Sequence, residues 1–162
     1  MTVAEKLERL ARLVPGVAGY QDRERARETD RALRLRLVMV LEQAARDVEA
    51  VKRACVETGR LATLPGLDGL TSRLERLGAT VRYASRGYRG LFDAVRVGNV
   101  ALDKLYAFDL RMFGEAEVIT QAAARLRASE TAQTADAARA LADALEGFER
   151  SFAERETLIA AG

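Results

Sequence analysis

Apolar residues recur along most of this chain at alternating spacings of three and four, the period of a helix that buries one face. Val3, Leu7, Leu10 and Val14 form the first such stripe, and Thr2 stands where a cap would, so the pattern predicts a helix from about Thr2 to Val14. Pro15-Gly16 ends it. A short loop to Gly19 leads into Tyr20 and a helix reaching about Thr58, on the order of 57 Å long at 1.5 Å per residue. Its stripe is Leu33, Leu37, Val40, Ala44, Val48, Val51 and Cys55. Asp30 with Arg34, Glu42 with Arg46 and Glu49 with Arg53 are spaced to pair one turn apart within it.

Gly59 is a natural helix stop, and GRLATLPGLDG supplies the Pro and Gly punctuation of a reversal. A third helix carries the seam Leu67, Leu70, Leu74, Leu77, Val81, Ala84 and Tyr88, an unbroken 3-4 alternation suited to coiled-coil-like contacts. Gly87 and Gly90 loosen the backbone after it. The fourth helix starts near Asn99 or Val100 and presents Leu102, Leu105, Asp109, Met112, Ala116, Ile119, Ala123 and Leu126, a seam that contains an acid. Ser129 or Thr131 is placed to cap a fifth, alanine-rich helix with the stripe Ala138, Leu141, Leu145, Phe148 and Phe152. Short connections between long helices favour antiparallel neighbours. The predicted fold is all-α: a single domain over residues 1–162, an elongated antiparallel bundle of three to four long helices with a short N-terminal helix docked on it.

Composition fits that picture. The 162 residues are 49% hydrophobic and 31% charged, with two prolines, which is globular rather than disordered chemistry. The longest apolar run, Leu37 to Leu41, is far shorter than the roughly 20 residues a membrane span needs. The opening MTVAEKLERLARLV mixes charges among its apolar residues, unlike a secretory signal. With a single cysteine on an apolar seam, this points to a cytoplasmic chain. The net charge of +2 conceals an asymmetry: residues 1–96 hold 19 Lys and Arg against 13 Asp and Glu, while residues 97–162 hold 7 against 11. Such polarity suits complementary packing inside one bundle, head-to-tail association, or a basic half facing an anionic partner.

The absence of histidine removes His-dependent triads and the usual metal sites of helical bundles, and one cysteine removes thiolate clusters. No glycine-rich phosphate motif is present, and GYRG (87–90) matches a KH-type GXXG loop in letters without flanking strands. These absences favour a non-enzymatic chain with no cofactor and no metal.

The distinctive constellation is arginine-rich. Arg82, Arg86, Arg89 and Asp93 follow 4, 3, 4 spacing, with Tyr83, Tyr88 and Phe92 among them, while Arg23, Arg27, Arg31 and Arg34 stripe the start of the long helix. Guanidinium groups bind phosphates or carboxylates bidentately and stack on rings, which opens a route to nucleic acid, an anionic ligand or an acidic protein surface. The competing reading is internal. Asp30 and Asp109 fall on apolar seams where an unpaired carboxylate is costly, and antiparallel register about a reversal near residue 96 sets Asp109 opposite Tyr83, within reach of Arg82 or Arg86.

PGVAGYQDRERARETDR (15–31), RYASRGYRGLFDAV (82–95) and LDKLYAFD (102–109) together resemble an uncharacterised family of all-helical prokaryotic proteins with PGxxGYxxxE and RYAxxGYxGxFD segments. The resemblance implies one unit made of Tyr20, the arginines of 82–89 and Asp109, and it brings no activity, cofactor or partner. The candidate ligand- or partner-binding residues are therefore Tyr20, Arg23, Arg27, Arg82, Tyr83, Arg86, Tyr88, Arg89 and Asp109. The expected function is a helical protein–protein interaction or assembly module, with a protein partner or a second copy as its target and helix five as the expected oligomer contact. A binder of an anionic ligand or nucleic acid is the alternative. An enzyme working through Asp109 with Tyr83 or Tyr106 is a third, weaker reading.

Overall fold

A computed structural model describes residues 1–20, 23–84 and 99–160 of the chain. Among them are five α-helices and no strand: α1 (Val3–Leu13), α2 (Arg23–Glu57), α3 (Leu64–Tyr83), α4 (Asn99–Ala128) and α5 (Thr134–Ala160). α2, with 35 residues, is about 52 Å long at the standard helical rise.

The helix ends follow local chemistry. Thr2 and Glu5 form a reciprocal capping box, the Thr2 hydroxyl accepting from the Glu5 amide and the Glu5 carboxylate accepting from the Thr2 amide at 2.6 Å. Gly59 terminates α2 in the left-handed region at φ +69°, where a side chain would be strained. Two ends differ from expectation. LPGLDG belongs to α3 rather than to the turn, because Pro65 sits in the first helical turn, where a missing N–H costs no bond. Neither Ser129 nor Thr131 caps α5: a 3-10 turn, Thr131–Gln133, intervenes, the Ser129 hydroxyl donating to the Leu126 carbonyl and the Thr134 hydroxyl to the Glu130 carbonyl.

The predicted seams are the core. Leu67, Leu70, Leu74, Leu77 and Val81 of α3, Leu37, Ala44, Val48, Val51 and Cys55 of α2, Met112 to Leu126 of α4 and Leu141 to Phe152 of α5 pack into one buried cluster. A second cluster at one end joins Leu10 and Val14 of α1 to Tyr20, Ala26, Leu33, Leu102, Leu105, Tyr106 and Ile159. α1 thus docks on the bundle, chiefly against α4.

The chain runs up, down, up, down, but spatial order differs from chain order. α2 pairs with α3 and α4 with α5, each as an antiparallel hairpin, and the hairpins lie side by side through α2 against α4 and α3 against α5. Consecutive helices α3 and α4 therefore sit diagonally. α2 and α4 run parallel: Asp30 and Asp109 meet on Arg155 at one end, and Asp47 meets Arg127 further along. The charge asymmetry becomes complementary packing between hairpins, with Arg73 of α3 gripping Glu149 of α5 through two bonds of 2.9 and 2.7 Å. Of the pairs expected one turn apart within α2, Asp30–Arg34 forms at 2.7 Å and is buried, whereas Glu42 turns to Arg82 and Glu49 to Lys52 and Thr71.

Candidate functional site

The two seam acids meet one another through a residue that reading the apolar stripes missed. Arg155 of α5, 2% exposed, donates from Nε to Asp109 Oδ1 at 2.6 Å and from one terminal nitrogen to Asp30 Oδ1 at 2.8 Å and Tyr20 Oη at 3.2 Å. Its other terminal nitrogen reaches Glu156 at 3.3 Å. Arg34 closes the far side, donating to Asp30 Oδ2 at 2.7 Å, to Glu156 at 2.9 Å and to the Val81 carbonyl at 3.1 Å, with its guanidinium 5.5 Å from the Phe152 ring. All four long helices touch this node.

The loop before α2 is fastened to the same point. Tyr20 donates its hydroxyl to Asp109 Oδ2 at 2.7 Å, and its backbone N–H donates to Tyr106 Oη at 3.0 Å beneath a tilted ring pair 5.2 Å apart. Gly16 and Gly19 take φ values of +94° and +96°, which lets the loop fold back so that the Ala18 and Gly19 amides donate to the buried Thr29 hydroxyl. Both oxygens of Asp109 are consequently engaged, and the residue is 2% exposed.

Burial sets the electrostatics. It pushes the Asp109 carboxyl above its usual range, against the pull of Arg155 and the Tyr20 hydrogen bond. Glu156 is raised for the same reason, with Arg34 and Arg155 opposing. The Tyr20 hydroxyl rises well above its usual value, first by burial and then through Asp109. For Arg155 burial disfavours the charge, but Asp109, Tyr20 and Asp30 outweigh it and keep the guanidinium firmly protonated. The node holds three acids and two arginines, each arginine committed on several sides. Chemically it can bind helices together and exclude water; Asp109 is occupied as an acceptor and presents no free oxygen to a substrate.

Among the predicted site residues, the structure brings Tyr20 and Asp109 together and sets Arg82 and Tyr83 away from them. Arg82 is a correction: it does not reach Asp109 but pairs at 2.6 Å with Glu42 on the surface, because α4 packs on α2 and α5 while α3 lies across the diagonal. Tyr83 is likewise not opposite Asp109 and stands about half exposed. Arg27 is exposed on the first turns of α2. Arg23 opens α2, and its side chain, like Arg86, Tyr88 and Arg89, lies outside the described residues. The signal for Arg155 was in the sequence: the 4-3 alternation Leu141, Leu145, Phe148, Phe152 continues to Arg155 and Ile159.

The second feature is a groove of about 860 Å³ between the parallel helices α2 and α4, closed at one end by α1. Met39, Val40, Leu110 and Phe113 line it, with Gly114 on its α4 wall. Met39 is 55% exposed and Leu13, at the α1 end, 45%. By contrast α5 exposes no large apolar side chain.

The fold and site define a class: a helical bundle held by a buried ionic node, with a half-apolar groove between α2 and α4. No protein-family model matches the chain, nor does any curated protein or solved structure. No described helix is long and apolar enough to cross a membrane, and among the described residues no cluster of His, Cys, Asp or Glu is arranged to hold a metal ion.

Proposed function

We propose that this chain is a non-enzymatic helical interaction module that recruits a protein partner through the α2/α4 face. The observation that carries this reading is the groove itself: Leu13 and Met39, 45% and 55% exposed, line it together with Val40, Leu110 and Phe113, while the outer face of α5 carries only small and polar residues. Large apolar groups held in water on one face of a well-filled bundle are characteristic of contact surfaces. The buried node supports the same reading from the other side, since its acids and tyrosines serve to bind helices together rather than to meet a substrate.

The alternative, an anionic-ligand or nucleic-acid site at Arg82 and its neighbours, has less support, because Arg82 already neutralises Glu42. Photo-crosslinking in cells tests the leading reading, with a photoreactive residue at Met39 and a control at Ala140 on α5. Protein adducts are expected from Met39 and not from Ala140. Adducts from neither position would contradict the module reading.

A further inference from the structure

The groove differs from an ordinary interhelical furrow in its charges. Six charged residues line it: Arg9, Arg36, Arg46 and Arg111, with Glu42 and Glu117. Glu42 is spent on Arg82, and Arg111 on Glu154, at 2.6 Å each. Arg46 makes bonds only to the neutral side-chain oxygen of Gln43, and neither Arg9 nor Arg36 has a partner among the described residues. That leaves three exposed cations against Glu117, above an apolar floor. Arg36 and Arg46 stand about 15 Å apart along α2 at the helical rise.

Gly114 adds an independent observation. It lies in the interior of α4, where glycine costs about 1 kcal/mol relative to alanine. A Cβ there would meet no atom within 4 Å, as is also true of Gly66, Gly69, Gly78 and Gly147, so packing within this chain does not demand the glycine, and what sets Gly114 apart is its place on the groove wall. What the missing side chain leaves is room for another backbone to approach α4 from the groove.

Resting on the module reading above, we infer that the α2/α4 groove seats an amphipathic helix of an acidic partner protein. Its apolar stripe packs on Met39, Val40, Leu110 and Phe113, its backbone passes over Gly114, and its carboxylates face Arg9, Arg36 and Arg46. This is helix-in-groove recognition with the charges set for orientation. A second copy of this chain fits less well, because a two-fold contact through the groove brings the same uncompensated arginines against each other. A bare polyanion such as nucleic acid leaves the apolar floor unfilled.

Panning a displayed random-peptide library on the purified chain tests the assignment. Individual enriched peptides are then titrated by fluorescence anisotropy against the wild type and an Arg36→Glu, Arg46→Glu variant whose fold is checked by circular dichroism. Enriched peptides are expected to carry apolar residues at helical spacing with Asp and Glu beside them, and to bind the variant at least about tenfold more weakly, the equivalent of 1.4 kcal/mol. Peptides that are acidic and helical but bind the variant equally well would overturn the groove while leaving the module reading intact. Basic or neutral winners, or none, would overturn the acidic partner. Concentration-dependent dimers in light scattering, lost in the variant, would replace it with a second copy.

Discussion

Arg155 and Arg36 are the same residue in opposite circumstances. Arg155 is sealed at the junction of four helices, with its donors divided among Asp109, Asp30, Tyr20 and Glu156. Arg36 projects from α2 beside an open apolar groove and is bonded to nothing among the described residues. The difference is instructive because local sequence barely separates them: both lie on helices rich in Arg, Glu and Ala. Register decides. A cation on the seam must be paired completely or the fold loses it, whereas a cation one helical step off the seam stays available to something else. On the proposal above, the first holds the bundle and the second recruits a partner.

That division can be broken most severely at Arg155. Arg155→Met leaves Asp30 and Asp109 buried together without the cation between them, and urea denaturation should register a loss of about 3–5 kcal/mol. Lysine is not a substitute, since one ammonium cannot reproduce the planar fork that spans both acids. Replacing Asp109 together with Arg155, by Asp109→Leu and Arg155→Met, should recover part of that loss, because Asp30 keeps Arg34 as its partner and the cost comes from unpaired charge rather than from missing attraction.

The pH dependence sharpens the point. Burial raises Asp109 and Glu156 above 3.8 and 4.5, so the folded chain binds protons there more readily than the unfolded chain does. Their contribution to stability is full at low pH and falls as pH rises through the raised values. Removing Arg155 removes a pull that lowers both, which widens this window. The deficit of Arg155→Met in urea melts should therefore shrink steadily as pH is lowered from neutral toward 4.5. A deficit that stays constant would contradict the ionic origin of the effect. Glu49 and Glu149, held below 4.5 by Lys52 and Arg73, act in the opposite sense, losing their contribution as pH falls through their lowered values.

Smaller effects follow outward from the node. Tyr20→Phe deletes the bond that its hydroxyl donates to Asp109 and the one it accepts from Arg155, and should cost about 1–2 kcal/mol in the same assay. Gly114→Ala should raise stability by up to about 1 kcal/mol while weakening partner binding, a combination expected only if the glycine serves the groove. Arg36→Glu with Arg46→Glu should change stability by no more than about 0.5 kcal/mol.

Much of this architecture could be read from the chain. Five helices, the identity of nearly every core position and the presence of Asp109 on a seam all follow from spacing, because burying one helical face imposes a period that the sequence must obey. Arg155 was equally periodic, yet a charged residue interrupts an apolar stripe, so the fifth seam reads as ending at Phe152 when it runs on to Ile159. The partner of Asp109 was mistaken for a different reason. Fourteen residues separate Ala84 from Asn99, enough chain to cross a diagonal, and the rule that consecutive helices are neighbours holds for short connections only. The groove was invisible for the same cause, since it exists only because α2 and α4 are adjacent, which no local pattern encodes.

A charge-swap cycle on the groove tests the division of arginines most directly. An acidic peptide that binds the wild type, and its counterpart with Asp and Glu replaced by Lys, are each titrated against the wild type and the Arg36→Glu, Arg46→Glu variant. The account predicts that the acidic peptide binds the variant at least about tenfold more weakly and that the lysine peptide regains affinity for it, with unfolding curves unchanged. Additive effects with no such crossover, or a variant that unfolds as readily as Arg155→Met, would contradict it.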